Sequence, residues 1–316
     1  MSTANPSVAA AHALQGVEKR YALPPIERPI EAAVLAATTA LLAGFSGSLR
    51  EAYDALIATT PMADGVTMEA VDEPGIKGWW MRPADAPRDR AILFLHGGAY
   101  MLGSAEAYRG FASQIAARAG VASFVLDYPL APEEPFPAAS EAAIAARRWL
   151  GAKGIAQIAL VGDSAGGALA LGALGPAADG PAVAAVAVFS PWTDLALTGG
   201  SFTSPDTYDP IFQPQILAGA AATYLDGADP RDGRASPLYA VPDVLPPMLI
   251  QVGENELLLD DARRYAAAAA ERDGEVSLEI FEGLHHVFQR SVTELPSARR
   301  ALDNVAAFLS RHWVRS

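Results

Sequence analysis

The chain has no cysteine. That excludes disulfides, a thiolate nucleophile and thiolate-held metals. Histidine is also scarce, with five residues of which only His285 and His286 adjoin. Their spacing matches no ligand set, so no metal site is expected. Basic residues are outnumbered, 23 Lys and Arg against 36 Asp and Glu, which leaves a net charge of −13. Such a surface repels nucleic acid and anionic membranes, and neither is an expected partner. Long apolar runs are missing too. The longest, Ala32 to Phe45, is interrupted by Thr38, Thr39 and Gly44 and is too short to cross a bilayer. Met1 to Arg28 is polar and charged, without the apolar core of a secretory signal. The expected location is therefore cytoplasmic.

What remains is ample material for a large core: 316 residues, 51% of them hydrophobic. Residues 1–28 carry little pattern. Residues 30–59 look like two Ala/Leu-rich helices broken around Gly44 to Gly47, either a hairpin packed on the body or part of a lid. From Val66 the rhythm changes. Strand-like runs occur at Val66–Ala70, Ile76–Met81, Ala91–Leu95, Ala122–Leu126, Ile158–Val161, Val183–Phe189, Met248–Val252 and Val276–Phe281. Helical patterns lie between most of them, at Ala107–Ala119, Ala138–Leu150, Ser164–Leu174 and Asp260–Asp273, with a last one at Ser297–His312. This alternation predicts an α/β fold with an eight-stranded, mostly parallel sheet and helices on both faces. The long, proline-rich gap between Phe189 and Met248 is an insertion at the carboxyl end of a strand, where such folds bind ligands.

The most informative stretch is Gly162-Asp163-Ser164-Ala165-Gly166. A buried strand runs into it and a helix leaves it, the setting of a nucleophile elbow. Gly162 and Gly166 must be small so that strand and helix can pack closely. Ala165 offers a backbone N–H to an oxyanion. A second glycine turn, His96-Gly97-Gly98-Ala99, follows the strand Ala91–Leu95. It suits the other oxyanion donors, so the N–H groups of Gly98, Ala99 and Ala165 are the candidates. Gly97 would be a hinge, and His96 would bond inside the loop. The partners of such a serine follow it as acid, then histidine. His12 and His96 precede Ser164, and His312 lies on a helix face. His285 and His286 remain, with His286 favoured. The loop after Met248–Val252 offers Glu254, Glu256, Asp260 and Asp261. The two aspartates open a helix, where carboxylates suit the exposed N–H groups. Glu254 suits a solvated strand end, and Glu256 is the best acid on position.

These phrases, with Asp127-Tyr128-Pro129-Leu130-Ala131-Pro132-Glu133 between them, closely resemble the bacterial hormone-sensitive-lipase family of α/β-hydrolase esterases. The likeness runs from about Ala91 to Phe288. It implies an α/β-hydrolase fold with a helical cap. The cap would comprise residues 1–55 and the insertion 196–230, around core segments 56–195 and 231–316. In that family the acid is usually an aspartate followed by Pro-Leu-x-Asp. Glu256-Leu257-Leu258-Leu259-Asp260 aligns on it, which implies Glu256, a glutamate in the aspartate's place, with Asp260 as second choice. The family's Gly-x-x-His-x-Phe phrase selects His286. Glu133 resembles a carboxylate that supports the nucleophile region. Ser190-Pro191-Trp192-Thr193-Asp194-Leu195 and the segment Tyr224 to Tyr239 look like a subgroup containing monoterpene ε-lactone hydrolases. Cap aromatics Tyr208, Phe212 and Tyr224 would line the substrate pocket or simply pack the cap.

The expectation is a serine carboxylesterase without a cofactor, acting on a small ester, with a homodimer left open. Lactone hydrolysis by the same groups is the alternative. A binding-only relative of the fold is a further one.

Overall fold

The computed structural model describes residue 14, residues 16–174 and residues 180–313. Among them run nine strands: β1 (Glu18–Tyr21), β2 (Val66–Glu73), β3 (Ile76–Pro83), β4 (Arg90–Leu95), β5 (Ser123–Leu126), β6 (Gln157–Asp163), β7 (Ala182–Phe189), β8 (Met248–Asn255) and β9 (Val276–His285). The described α-helices are α1 (Arg28–Gly44), α2 (Leu49–Ile57), α3 (Arg109–Ala119), α4 (Ala138–Ala152), α5 (Ser164–Gly172), α6 (Pro214–Leu225), α7 (Leu259–Ala270) and α8 (Pro296–His312).

The strands form one sheet in the order β1-β9-β8-β7-β6-β4-β5-β3-β2. Only β3 runs against the others, pairing antiparallel with both β2 and β5. Strand β4 shows why its run is apolar throughout. Successive side chains point to opposite faces. Leu93 and Leu95 enter a core shared with α4, α5 and α7, while Ile92 and Phe94 enter another shared with α3 and α8. Both faces are covered, so both must be apolar. Each such Leu, Ile or Phe contributes about 1.5–3 kcal/mol by leaving water.

The eight expected strands become nine because β1 joins the edge, parallel to β9. Glu-Lys-Arg-Tyr has no apolar alternation, so its strand character comes from its neighbours. Tyr21 stacks on Phe281 with ring centroids 4.7 Å apart. Arg20 pairs with Glu282 at 2.8 Å and also with Glu254. The segment expected to be cap helix therefore also supplies a strand to the core sheet. Residues 1–13 and 15 of that segment lie outside the described residues.

The order of the strands sets the location of chemistry. After β4 the chain winds outward through β5, and it returns to β4's other side with β6. The carboxyl ends of β4 and β6 thus flank a switch point, where open α/β sheets bind ligands. The glycine loop leaves β4 there, and the serine turn leaves β6. No helix among the described residues is long and apolar enough to cross a membrane.

Candidate active site

Ser164 sits between β6 and α5 with φ +54°, the left-handed region that ordinary side chains avoid. The surroundings hold it there. A Cβ on Gly166 would lie 2.0 Å from the Leu95 carbonyl and 2.3 Å from that of His96. One on Gly162 would lie 2.4 Å from the Gly166 carbonyl. These contacts are with backbone, which cannot swing aside. Gly166→Ala is expected to destabilise the fold by about 3 kcal/mol, the upper end for overpacking. Urea unfolding of the variant beside wild type measures it.

The loop after β4 is built against the same turn. Gly97 N–H donates to Asp163 Oδ1 at 2.9 Å, and Tyr108 Oη donates to Asp163 Oδ2 at 2.9 Å. Asp163 is buried, and desolvation raises its pKa. Arg290, the two hydrogen bonds and His286 act in the opposite direction. Gly98, Ala99 and Tyr100 all have positive φ, at +121°, +53° and +62°. The Gly98 carbonyl accepts from Met101 and Leu102 N–H at 3.0 and 2.9 Å. The N–H groups of Gly98 and Ala99 have no acceptor among the described residues. Ala165 N–H belongs to the first turn of α5, where helix amides are unpaired. These three donors flank the serine turn.

His96 is buried inside the loop. Its ring stacks on Tyr128 at 4.2 Å, and Nδ1 donates to the Gly97 carbonyl at 2.8 Å. Burial pushes its pKa down from 6.5 to about 4. The sign follows from proton counting. Between those pH values the unfolded chain binds a proton that the folded chain refuses. The contribution is complete above pH 6.5 and is lost as the pH falls toward 4, by about 3 kcal/mol in all. Asp163, whose pKa is raised, acts with the opposite sign. The His96 share is therefore the difference between wild type and His96→Asn, whose unfolding free energy should fall less steeply over that range in a pH series.

Glu256 and His286 meet on the other side. Both are buried, and His286 Nδ1 hydrogen-bonds Glu256 Oε2. A carboxylate only accepts, so Nδ1 carries the proton and donates to Glu256. Glu256 Oε1 accepts from Gly253 N–H at 2.9 Å and from Ser190 Oγ at 2.8 Å. Ser190 Oγ in turn accepts from Val287 N–H at 3.1 Å. Two residues on, Trp192 N–H donates to the Ser164 carbonyl at 3.0 Å. The turn after β7 thus bonds the serine, the acid and the chain beside the histidine. The sequence shows Ser190 only as part of a subgroup phrase and gives it no part in the site, because its partners are far away along the chain.

The alternatives are placed elsewhere. Glu254 faces Arg20 and accepts from Gly283 N–H at 3.1 Å. Asp260 Oδ2 accepts from Ser201 N–H, and Asp261 Oδ2 from Asp194 N–H, both at 2.9 Å. Both anchor the insertion instead of a histidine. Asp261 is fully buried, and desolvation holds its pKa well above the usual carboxylate range. His285 is buried as well and turns to Glu31 of α1 at 2.6 Å. Glu133 chelates Arg50 of α2 at 2.9 and 2.6 Å, and the same guanidinium reaches the Met101 and Ala131 carbonyls. It braces α2 against the glycine loop after β4. Of the three aromatics, Phe212 packs edge-on against the His286 ring at 5.1 Å, Tyr224 stacks in the core on Tyr100 at 3.8 Å, and Tyr208 is exposed. Asp209 was not legible beforehand. It accepts from Ile211 and Phe212 N–H at 2.8 Å and from Leu257 N–H at 2.9 Å, tying the insertion to the residue after Glu256. Among the described residues no group of three or more His, Asp or Glu could hold a metal ion.

This arrangement has known counterparts. The alpha/beta hydrolase fold family matches residues 92–290. An acetyl-hydrolase from Streptomyces hygroscopicus is 42% identical over 234 residues, 73% of this chain and 78% of that protein. An esterase from Acinetobacter venetianus is 33% identical, with 83% and 88% of the two chains covered. The crystal structure of an esterase from the bacterial hormone-sensitive-lipase family superposes with a TM-score of 0.82 at 37% identity, covering 90% of this chain and 98% of that one. The chain belongs to the bacterial hormone-sensitive-lipase family of α/β-hydrolases. Its loop after β8 carries Glu256 where the motif described above has an aspartate. The longer side chain is accommodated, since one oxygen reaches His286 while the other is held by Gly253 and Ser190.

Proposed function

We propose that the protein is a serine carboxylesterase for short- to medium-chain esters. Ser164 is the nucleophile, His286 the base, Glu256 the orienting acid, and the Gly98, Ala99 and Ala165 N–H groups the oxyanion hole. Ser164 Oγ attacks the ester carbonyl and His286 Nε2 takes its proton. The oxyanion of the tetrahedral intermediate is held by the three N–H groups. The intermediate collapses to an acyl-serine as His286 returns the proton to the leaving alcohol. Water, deprotonated by His286, repeats the attack and releases the acid. Glu256 holds the ring in the Nδ1–H tautomer and stabilises the imidazolium. The observation that carries this reading is the Glu256–His286 pair, tied through Ser190 to the turn that bonds Ser164.

Acetyl-hydrolases among the relatives support short acyl groups, as does a solved relative soaked with p-nitrophenyl butyrate, 34% identical with a TM-score of 0.79. The cap belongs to the same reading. Helices α1 and α2 and the 196–230 insertion form it, supported by Phe212 against His286 and Arg50 against the oxyanion loop. The partner is a small ester. With a net charge of −13, nucleic acid is not one. Hydrolysis of p-nitrophenyl esters from acetate to palmitate, with an ε-lactone alongside, tests the proposal. The expected profile peaks at short to medium chains. A preference for the lactone would replace the substrate class, and no turnover by folded protein would overturn the enzyme.

A further inference from the structure

Helix α1 inverts the usual rule for a surface helix. Its sequence is mostly apolar, yet its one buried residue is a carboxylate, Glu31. Burying a charge is costly unless it is paired. The preceding turn adds a second buried carboxylate, Glu27, whose Oε2 accepts from Ser297 N–H at the start of α8 at 2.9 Å. Glu31 does something different. Its Oε1 accepts from His285 Nδ1 at 2.6 Å. Its Oε2 is buried without a partner among the described residues, and Glu31 lines a cavity of about 440 Å³ together with Leu23, Leu35, Tyr208 and Asn255. Glu31 therefore makes one bond, and that bond goes to the residue beside the base.

His285 is the last residue of β9, and His286 follows as the chain turns off the sheet. On the far side, Val287 adopts φ +52° with its N–H held by Ser190. His286 is thus pinned on both flanks, through His285 by Glu31 and through Val287 by Ser190. Adjacent histidines each meet a glutamate, one from the N-terminal helix and one from the loop after β8.

We propose that Glu31 of the N-terminal helix is a positioning residue for His286, acting through its bond to His285. This rests on the reading of His286 as the base. The test is a kcat and KM series on a p-nitrophenyl ester, with folding checked by circular dichroism and melting. Glu31→Ala and His285→Ala should each lower kcat about 10- to 100-fold, the usual consequence of a displacement of about 1 Å, with KM changed less than about twofold. The double variant should be no worse than the poorer single, because both break one link. Glu31→Gln keeps an acceptor oxygen and should recover most of kcat. Glu27→Ala loosens the same segment without touching His285 and should leave kcat within about twofold of wild type. If Glu31→Ala does not fold, Glu31→Asp decides, since its shorter arm should lower kcat in the same way. Wild-type kcat in folded Glu31→Ala, an equal loss in Glu27→Ala, or no rescue by glutamine would overturn the inference. Activity surviving in His286→Ala would instead sink the reading of the base, which separates the two failures.

Discussion

Ser164→Ala is expected to lower kcat for p-nitrophenyl acetate about 10⁴-fold or more while the protein stays folded. The side chain lost is one hydroxyl. Ser164 is largely buried, so losing one hydroxyl removes little packing. Its backbone carbonyl still accepts from Trp192, and Gly162 and Gly166 still close the turn. His286→Ala should cost about as much, and the two together no more than either, because serine and base act as one unit. Residual hydrolysis above water would come from the oxyanion donors alone. Single-turnover kinetics with the wild type should show an alcohol burst, and the alanine variant should show none. Turnover that survived in Ser164→Ala would remove the nucleophile from the proposal.

Glu256→Gln is expected to be nearly as severe, about 10⁴-fold in kcat, with Asp260→Asn changing it far less. The amide keeps the shape, but its NH₂ can take the place of the carboxylate oxygen at Nδ1. The imidazole then turns to the other tautomer, its Nε2 becomes a donor, and the base is lost. The imidazolium formed in the transition state also loses its counter-charge. Asp260 has no part in this, since it receives Ser201 N–H and faces Arg263. Its loss would loosen the insertion and act mainly through stability. The same ester assay on both variants gives the ranking, and the reverse order would move the acid to Asp260.

The parts of this site that could be read along the chain are those whose function depends on backbone shape. A serine between two glycines, entered by a strand and left by a helix, implies its own geometry, because any Cβ at Gly162 or Gly166 would lie within 2.0–2.4 Å of backbone oxygens. The glycine loop after β4 is legible for the same reason. The central strands were legible from apolar runs covered on both faces. Strand β1 was not, because an edge strand of Glu-Lys-Arg-Tyr owes its form to Phe281 and two glutamates brought to it from the far end of the chain.

Order along the chain and family likeness narrowed the acid to Glu256 and the base to His286, but they said nothing of what holds either. Asp209 and Glu31 do not stand out in sequence, and Ser190 stands out only within the subgroup phrase. Each becomes informative only when folding brings it to Glu256, Leu257 or His285. The α/β class, the serine turn, the glycine loop after β4 and the absence of thiol chemistry were readable along the chain, since each follows from local backbone limits or from composition. Which carboxylate faces which histidine emerges only in the folded chain, because a side chain's partner depends on where distant strands end and not on its neighbours in the chain.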